Sequence, residues 1–329
     1  MNFRTVVEIE KYKEKIDYSK KIMLIGSCFT DNIGQKFNDY FFDVDINPFG
    51  VIYNPESVLR SLEILTNRKF LSEENLFFDN ENWQSYSHHS DFSSGQKDTV
   101  LAKINNRIEY SSDFLQDADY LFITFGTAWV YTLRETDNVV ANCHKQSASK
   151  FNRTRLSVSE ISVKFIRYLE ILKTLNPKVK VFFTVSPVRH WKDGAIENQI
   201  SKSTLLLGIS EIIEKMDFAH YFPSYEIVMD ELRDYRYYDE DMIHISNKAV
   251  DYIWERITES LLTKGANTDL KEAVKIKKAL QHRASNIKSN EYHLFLEKTL
   301  KQIKELKQKN KHIKLEEAEA LMTAKLINY

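Results

Sequence analysis

Three short apolar runs set most of what this chain can fold into: Ile22–Ile25, Leu121–Phe125 and Val181–Val185. None alternates with polar residues as a half-exposed strand does; near-continuous apolar sequence is the mark of strands buried on both faces of a parallel sheet. Each run stops at a breaker, Gly26, Gly126 or Ser186-Pro187. Between them lie helical patterns: Pro55–Asn67, with Val58, Leu59, Leu62 and Leu65 on one stripe, and Val158–Leu175, which ends before Asn176-Pro177. Alternating strands and helices imply an α/β fold, a parallel sheet joined by right-handed crossovers. All three strands then end on reactive or polar loops at one edge, where ligands bind in open α/β sheets.

The first of these ends carries the chemistry. In KIMLIGSCFTDNIG, residues 21–34, the strand stops at Gly26 and hands Ser27 and Cys28 to a helix start. Glycine permits the sharp turn, and the unpaired N–H groups of a helix N-terminus favour negative charge. Alone, the segment is also consistent with an ordinary strand–turn–helix junction. Its counterpart lies far down the chain, at Asp241-Met242-Ile243-His244, ahead of a helix through Leu262. Histidine is suited to moving a proton near neutral pH, and a carboxylate on its second ring nitrogen fixes the tautomer and stabilises the imidazolium. An Asp three residues before a His can turn both side chains to one point, giving a base and its orienter on one segment.

These segments are joined by INPFGVIYNP at 46–55, ITFGTAWVY at 123–131, ANCHKQ at 141–146, TVSPVRHWKDG at 184–194 and DEDMIHIS at 239–246. Taken in order, the blocks resemble the GSCFA family of the SGNH/GDSL hydrolase superfamily, over roughly the first 260 residues. The resemblance implies a doubly wound, three-layer α/β sandwich with its nucleophile in a G-D-S block after the first strand. Aligned on Gly26, Cys28 falls on the nucleophile and Ser27 on the Asp, with Ser27 the alternative if the turn shifts by one residue. A helix N-terminus and a neighbouring imidazolium both stabilise a thiolate, so the Cys28 thiol is expected to titrate below the free-thiol value. His244 would then be general base and acid, with Asp241 orienting it.

The superfamily's second block supplies an oxyanion-hole N–H, for which Gly50 is the counterpart beside that of Cys28. Donors of this kind often contribute about 3 kcal/mol each to acyl transfer. The third block, G-x-N-D, departs here, since Ala128 falls where the Asn would stand. Either the Thr127 side chain donates, or Asn47 or Asn142 stands in, or the hole has fewer donors. Asn47, His144, Arg189 and His190 are the candidates for holding a carboxylate or hydroxyl of the substrate, against a simpler role in stabilising their loops. The implied activity is hydrolysis of an ester or thioester through a covalent acyl-enzyme, with a carbohydrate O-acyl ester as the substrate that related members suggest. A decayed hydrolase that only binds its ligand and an acyltransferase are the competing readings.

Composition narrows the partners. The 46 basic and 47 acidic residues give a net charge of −1, which argues against nucleic acid. The two cysteines, 28 and 143, make no disulfide framework, as in a reducing compartment. His88-His89 and Cys143-His144 lack metal-ligand spacing, and no phosphate-binding glycine motif occurs, so neither metal nor cofactor is expected. With no apolar run of signal-peptide or membrane-spanning length in MNFRTVVEIEKYKEK or later, the expected location is the cytoplasm. Asn75–Asp98 reads as an irregular excursion or small hairpin able to overhang the site, and Trp129–Leu133 with Val139–Ala141 as a β-hairpin turning at Thr136-Asp137-Asn138.

After Lys264-Gly265 the sequence loses Pro and Gly and becomes rich in Lys and Glu, with Leu296, Leu300, Ile303 and Leu306 on one stripe. The boundary is therefore expected at residue 264, with a catalytic domain over 1–264 and a helical arm over 265–329. The arm reads either as a homodimerisation surface or as an amphipathic hairpin folded onto its own chain.

Overall fold

The computed structural model describes residues 4–327. Its first elements are β1 (Lys21–Gly26), α1 (Cys28–Asp39), β2 (Asp43–Ile46), α2 (Pro55–Thr66), a hairpin of β3 (Phe77–Asp79) and β4 (Asn82–Gln84), and α3 (Lys97–Asp117). They are followed by β5 (Tyr120–Phe125), β6 (Trp129–Leu133), β7 (Val139–Val140), β8 (Phe151–Arg155), α4 (Val158–Leu175), β9 (Lys180–Val185), α5 (Gly194–Lys215), β10 (Ala219–Tyr221) and the single turn α6 (Ser224–Glu226). Four helices close the described chain: α7 (Asn247–Leu261), α8 (Lys264–Gln281), α9 (Asn290–Lys309) and α10 (Glu316–Ile327).

The three apolar runs become the middle of a five-stranded sheet ordered β10-β9-β5-β1-β2. β1 pairs with β5, β5 with β9 and β9 with β10, all parallel, with Gly26 opposite Thr124 and Thr124 opposite Thr184. Helices lie on both sides of the sheet. Met23, Ile25, Leu121, Ile123, Val181 and Phe183 join α2, α3, α4 and α5 in one continuous core. Counted along the chain, the sheet's own strands run second, first, third, fourth, fifth, which is a doubly wound order, and the direction of winding reverses between β1 and β5. The carboxyl ends of β1 and β5 flank that reversal, so the fold itself places Gly26 and Gly126 beside the crevice. β6, β7 and β8 form a separate antiparallel sheet in the order β7-β6-β8, adding a third strand to the expected hairpin.

The chain divides into two compact units. Among the described residues, one holds Ile22–Gly34 and Asp45–Ile253 with the N-terminal segment up to Ile9; the other holds Glu10–Lys21, Gln35–Val44 and the segment from Trp254 to Ile327. The second unit therefore begins before residue 264 and takes in two N-terminal segments. Within it Tyr18 stacks on Phe42 at 4.1 Å, and Phe37 meets Trp254 edge-on at 4.7 Å. Its backbone is stitched by Ile16 N–H to the Leu261 carbonyl at 2.7 Å and Thr263 N–H to that of Ile16 at 2.9 Å. Leu296, Ile303 and Leu306 of the helical stripe are buried in this unit. No helix among the described residues is long and apolar enough to cross a membrane.

Candidate functional site

Gly26 has φ of +144°, and a Cβ there would come within 2.2 Å of the Thr124 carbonyl oxygen, so only glycine lets β1 lie against β5 to its last residue. The turn that follows is fixed by Asn47: its Oδ1 accepts the Gly26 N–H at 2.8 Å, and its Nδ2 donates to Asp31 Oδ1 at 2.5 Å. Helix α1 then begins at Cys28. Ser27 is 1% exposed and its buried hydroxyl has no hydrogen-bond partner among the described residues, whereas the half-buried Cys28 lines a cavity of about 530 Å³. Burial pushes the Cys28 thiol above the ordinary range, against the pull of the Phe29 and Cys28 N–H groups and of Lys202. This is the opposite of the lowered value expected from sequence. The helix terminus acts as anticipated, but desolvation outweighs it.

The Asp241 and His244 side chains meet. Asp241 Oδ1 accepts the N–H groups of Ile243 and His244, each at 2.9 Å, and its Oδ2 lies 2.6 Å from His244 Nδ1. Those bonds, that of the imidazole first, hold the Asp241 carboxyl down to about 2. With Nδ1 donating to the carboxylate, Nε2 is left as the basic nitrogen. The segment is anchored by Asp239 N–H to the His244 carbonyl at 2.9 Å and Ser246 N–H to that of Tyr237 at 2.8 Å. His244 lines the same cavity as Cys28, while Asp241 borders a neighbouring one of about 470 Å³. No hydrogen bond joins Cys28 Sγ to His244 among the described residues, an arrangement catalytic pairs often show before substrate tightens them.

The remaining candidates separate into two groups. Arg189, His190 and Thr127 line the cavity. Arg189 borders the neighbouring cavity as well, its guanidinium sits 5.3 Å from the Trp191 ring centre, and no carboxylate pairs with it among the described residues. His190 is held by its N–H on Asn198 Oδ1 at 2.9 Å, and burial, with Lys202 adding to it, pushes its pKa down to about 4. Thr127 gives its N–H to the Tyr53 carbonyl at 3.1 Å and its hydroxyl lies 3.1 Å from Ser201 Oγ.

Gly50, Asn47 and His144 are instead engaged in loop structure. The Gly50 N–H closes a turn onto the Asn47 carbonyl at 2.8 Å and so is not presented to the cavity. Asn47 is taken up by Gly26 and Asp31. The His144 ring donates through Nε2 to the Ser85 carbonyl at 2.9 Å, in a tight turn with φ of 49°. Asn142, the other stand-in considered for the missing Asn, lines the cavity but its Oδ1 accepts the His144 N–H at 2.8 Å.

Asn54 and His89, to which the sequence assigned no part in the site, line the cavity as well. Asn54 lines the cavity with its Oδ1 capping α2 through the Ser57 N–H at 2.8 Å, which leaves its Nδ2 hydrogens as donors. The N-P signature of a helix start marks Asn54 as a cap but says nothing of its other amide face. His89 lines the cavity, its Nδ1 3.1 Å from Asp91 Oδ2. Lys202 lies fully buried on α5, and its signal was periodicity: it falls on the same face as Asn198, Leu205 and Ile209. No group of three His, Cys, Asp or Glu side chains is arranged to hold a metal ion among the described residues.

No curated protein matches this chain. Among the solved structures that align with this chain is an acetyl xylan esterase from the rumen bacterium Butyrivibrio proteoclasticus, with a TM-score of 0.32 at 13% identity, over 74% of this chain. The chain spans 65% of the length of that enzyme. Residues 274–328 match the GSCFA domain protein, C-terminal domain. The model of the GSCFA family matches residues 21–257, from β1 and its Gly26-Ser27-Cys28 turn through Asp241 and His244 into α7, and the chain belongs to that family.

Proposed function

We propose that this protein is an acyl-ester hydrolase working through a covalent acyl-enzyme on Cys28. The observation that carries the reading is the convergence of a half-buried thiol at a helix N-terminus and an Asp-oriented imidazole on one cavity. His244 takes the proton of the Cys28 thiol, and the thiolate attacks the ester carbonyl carbon, forming the C–S bond while the carbonyl π electrons move to oxygen. We assign that oxyanion to the N–H groups at the start of α1 and to the Asn54 Nδ2, which lies on the cavity wall. On collapse the C–O bond breaks and the leaving alkoxide takes a proton from the His244 imidazolium. A water, deprotonated by His244, then releases the acid and restores the thiol.

The cavity walls suit a sugar-borne ester. Tyr53, Trp129 and Tyr131 offer aromatic faces, with Arg189, His190 and Asn142 between them as polar groups for hydroxyls or a carboxylate. Passage of the acyl group to a second hydroxyl rather than to water uses the same residues. The raised thiol pKa favours a second reading, a binding protein that has kept the cavity and lost the reaction.

His244→Ala decides between them. The imidazole is half-exposed at a loop mouth, so the variant should keep its melting temperature within about 2 °C while losing 10²–10⁴-fold in turnover of short-chain aryl esters. Unchanged turnover in a folded variant would remove His244 from the reaction, and undetectable turnover in the wild type would favour the binding protein.

A further inference from the structure

The chemistry above uses one of two neighbouring cavities. The other encloses about 470 Å³ and shares Arg189 and Ile243 with the cavity that Cys28 and His244 line. Most of its remaining wall is apolar, with Trp191, Val228, Met229, Leu232, Tyr238 and Met242 facing it. Leu232 is buried, but Trp191 is 52% exposed, Met242 53% and Tyr235, which lines the same cavity, 77%. Large apolar side chains left in water around a concavity mark a ligand groove or a partner surface. The chain after α6 winds through a π-helical turn at Ile227–Glu231, which supplies Val228 and Met229 and which the Leu232 N–H closes on the Ile227 carbonyl at 3.1 Å. Such turns are rare and gather at functional sites.

The charged groups around this cavity are answered, with one exception. Asp241 holds the His244 imidazole and two backbone N–H groups. Asp234 pairs with Arg236 at 3.4 Å, and Arg233 with Asp230 at 2.9 Å. In the cavity of Cys28, Asp193 is taken by Arg153, and Lys192 donates to the Tyr131 hydroxyl at 3.3 Å. Arg189, a wall of both cavities, has no carboxylate and no hydrogen-bond acceptor among the described residues; its Nε is buried, and the Trp191 ring centre lies 5.3 Å from its guanidinium carbon. A guanidinium has five N–H donors to satisfy, and a buried donor without an acceptor carries a desolvation cost that a bound anion removes. One guanidinium balances one negative charge through a planar two-point contact, which is what a carboxylate presents.

We propose that this second cavity is a binding site for an apolar carboxylate, its body against Trp191, Leu232 and Tyr238 and its charged end on the Arg189 guanidinium. The ligand class follows from the walls. An apolar lining gains nothing from a small hydrophilic acid such as acetate, and the unanswered cation selects against a neutral amide of the same body. The site stands whether or not Cys28 turns over an ester. Since Arg189 and Ile243 line both cavities, an acid bound here also borders the place where an ester would react.

Two of the six methionines, Met229 and Met242, line the cavity and report its occupation. In the full chain carrying 13C at the methionine methyls, with signals assigned from Met229→Leu, Met242→Leu and Met322→Leu, octanoate and naphthoate should shift the Met229 and Met242 signals saturably. Met322, which belongs to the other compact unit, should not move. The tighter of the two acids names the body as a chain or a ring. Octanamide, which keeps the chain and lacks the charge, should bind at least about tenfold more weakly than octanoate, and so should acetate. Arg189→Met should weaken octanoate by about tenfold or more and leave octanamide unchanged. Tyr235→Glu alters an exposed side chain, sets a like charge beside the bound acid and should weaken octanoate as well. Failure of both acids to move the Met229 and Met242 methyls, equal binding of octanoate and octanamide, or an unchanged octanoate titration in folded Arg189→Met would overturn the assignment. Because the readout is independent of turnover, a wild type that hydrolyses no ester but binds these acids would remove the hydrolase reading and leave this one standing.

Discussion

A thiol at the first position of a helix is pulled two ways, and at Cys28 the stronger pull is burial. The N–H groups of Phe29 and Cys28 and the Lys202 ammonium favour the thiolate, but Asp31 adds a like charge nearby, so the thiol is the resting form at neutral pH. The sign follows directly: reactivity depends on the deprotonated form, so it should climb as pH rises through and beyond the ordinary thiol range. Alkylation of Cys28 by iodoacetamide in the free protein is therefore expected to be slow at pH 7 and to keep increasing past pH 9. A plateau reached below pH 8 would show that burial does not dominate. Cys143, whose thiol is also raised by burial, should show a similar rise and serves as the internal comparison. At this scale local spacing was legible and through-space environment was not. Asp241 and His244 sit three apart, so chain geometry alone brings them together. Lys202 reaches the Gly126 and Ser186 carbonyls only because α5 is folded against the sheet, and the fates of Gly50 and His144 hang on backbone partners that no motif records.

Elements rather than residues carry the precision of the candidate site, because the place of Cys28 is set by where β1 stops. Gly26 keeps β1 in register with β5 to its end, and its N–H is held by Asn47. Gly26→Ala forces a Cβ to within 2.2 Å of the Thr124 carbonyl at a φ that side chains avoid, so the strands must part or the turn must rotate. The expected loss is about 3 kcal/mol or more of stability, read by urea denaturation, with Cys28 displaced from the cavity even in the folded fraction. A loss below about 1 kcal/mol would mean the turn relaxes freely. The strands that the sequence revealed were those buried on both faces, where apolar runs are uninterrupted. β8 escaped because its burial falls on Phe151 alone, the other four residues being exposed, and β10 because three residues carry no period. The α2 and α4 helices were legible from stripe and breaker together. α3 was hidden by a low contrast between its faces, with Ser111 and Ser112 among its buried residues.

The whole molecule is divided differently from the chain. The shift in composition after residue 264 is real, yet the compact unit that contains the tail also includes Glu10–Lys21 and Gln35–Val44. Sequence could not show this, since composition reports how a segment is solvated and not which distant segment it covers. The tail's contacts within that unit are specific. Lys277 pairs with Asp39 at 2.6 Å, the Lys314 N–H donates to the Phe41 carbonyl at 2.9 Å, and Asp269 takes Lys309 at 2.6 Å and Asn310 Nδ2 at 3.0 Å. Tyr18 is buried with Asp269 near enough to raise its pKa further. A chain ending at Lys264 keeps Tyr18, Phe37, Phe42 and Trp254 but loses α8 through α10, leaving Asp39 and the Phe41 carbonyl without these partners and apolar surface uncovered. For a chain of this size each 1 kcal/mol lost lowers the melting temperature by about 2–4 °C, so loss of several such contacts should lower it by roughly 10 °C or promote aggregation. Differential scanning fluorimetry and size-exclusion chromatography read both outcomes. A truncated chain that melts within about 2 °C of the full one and stays monodisperse would show the tail to be a separable arm, with the boundary where composition puts it.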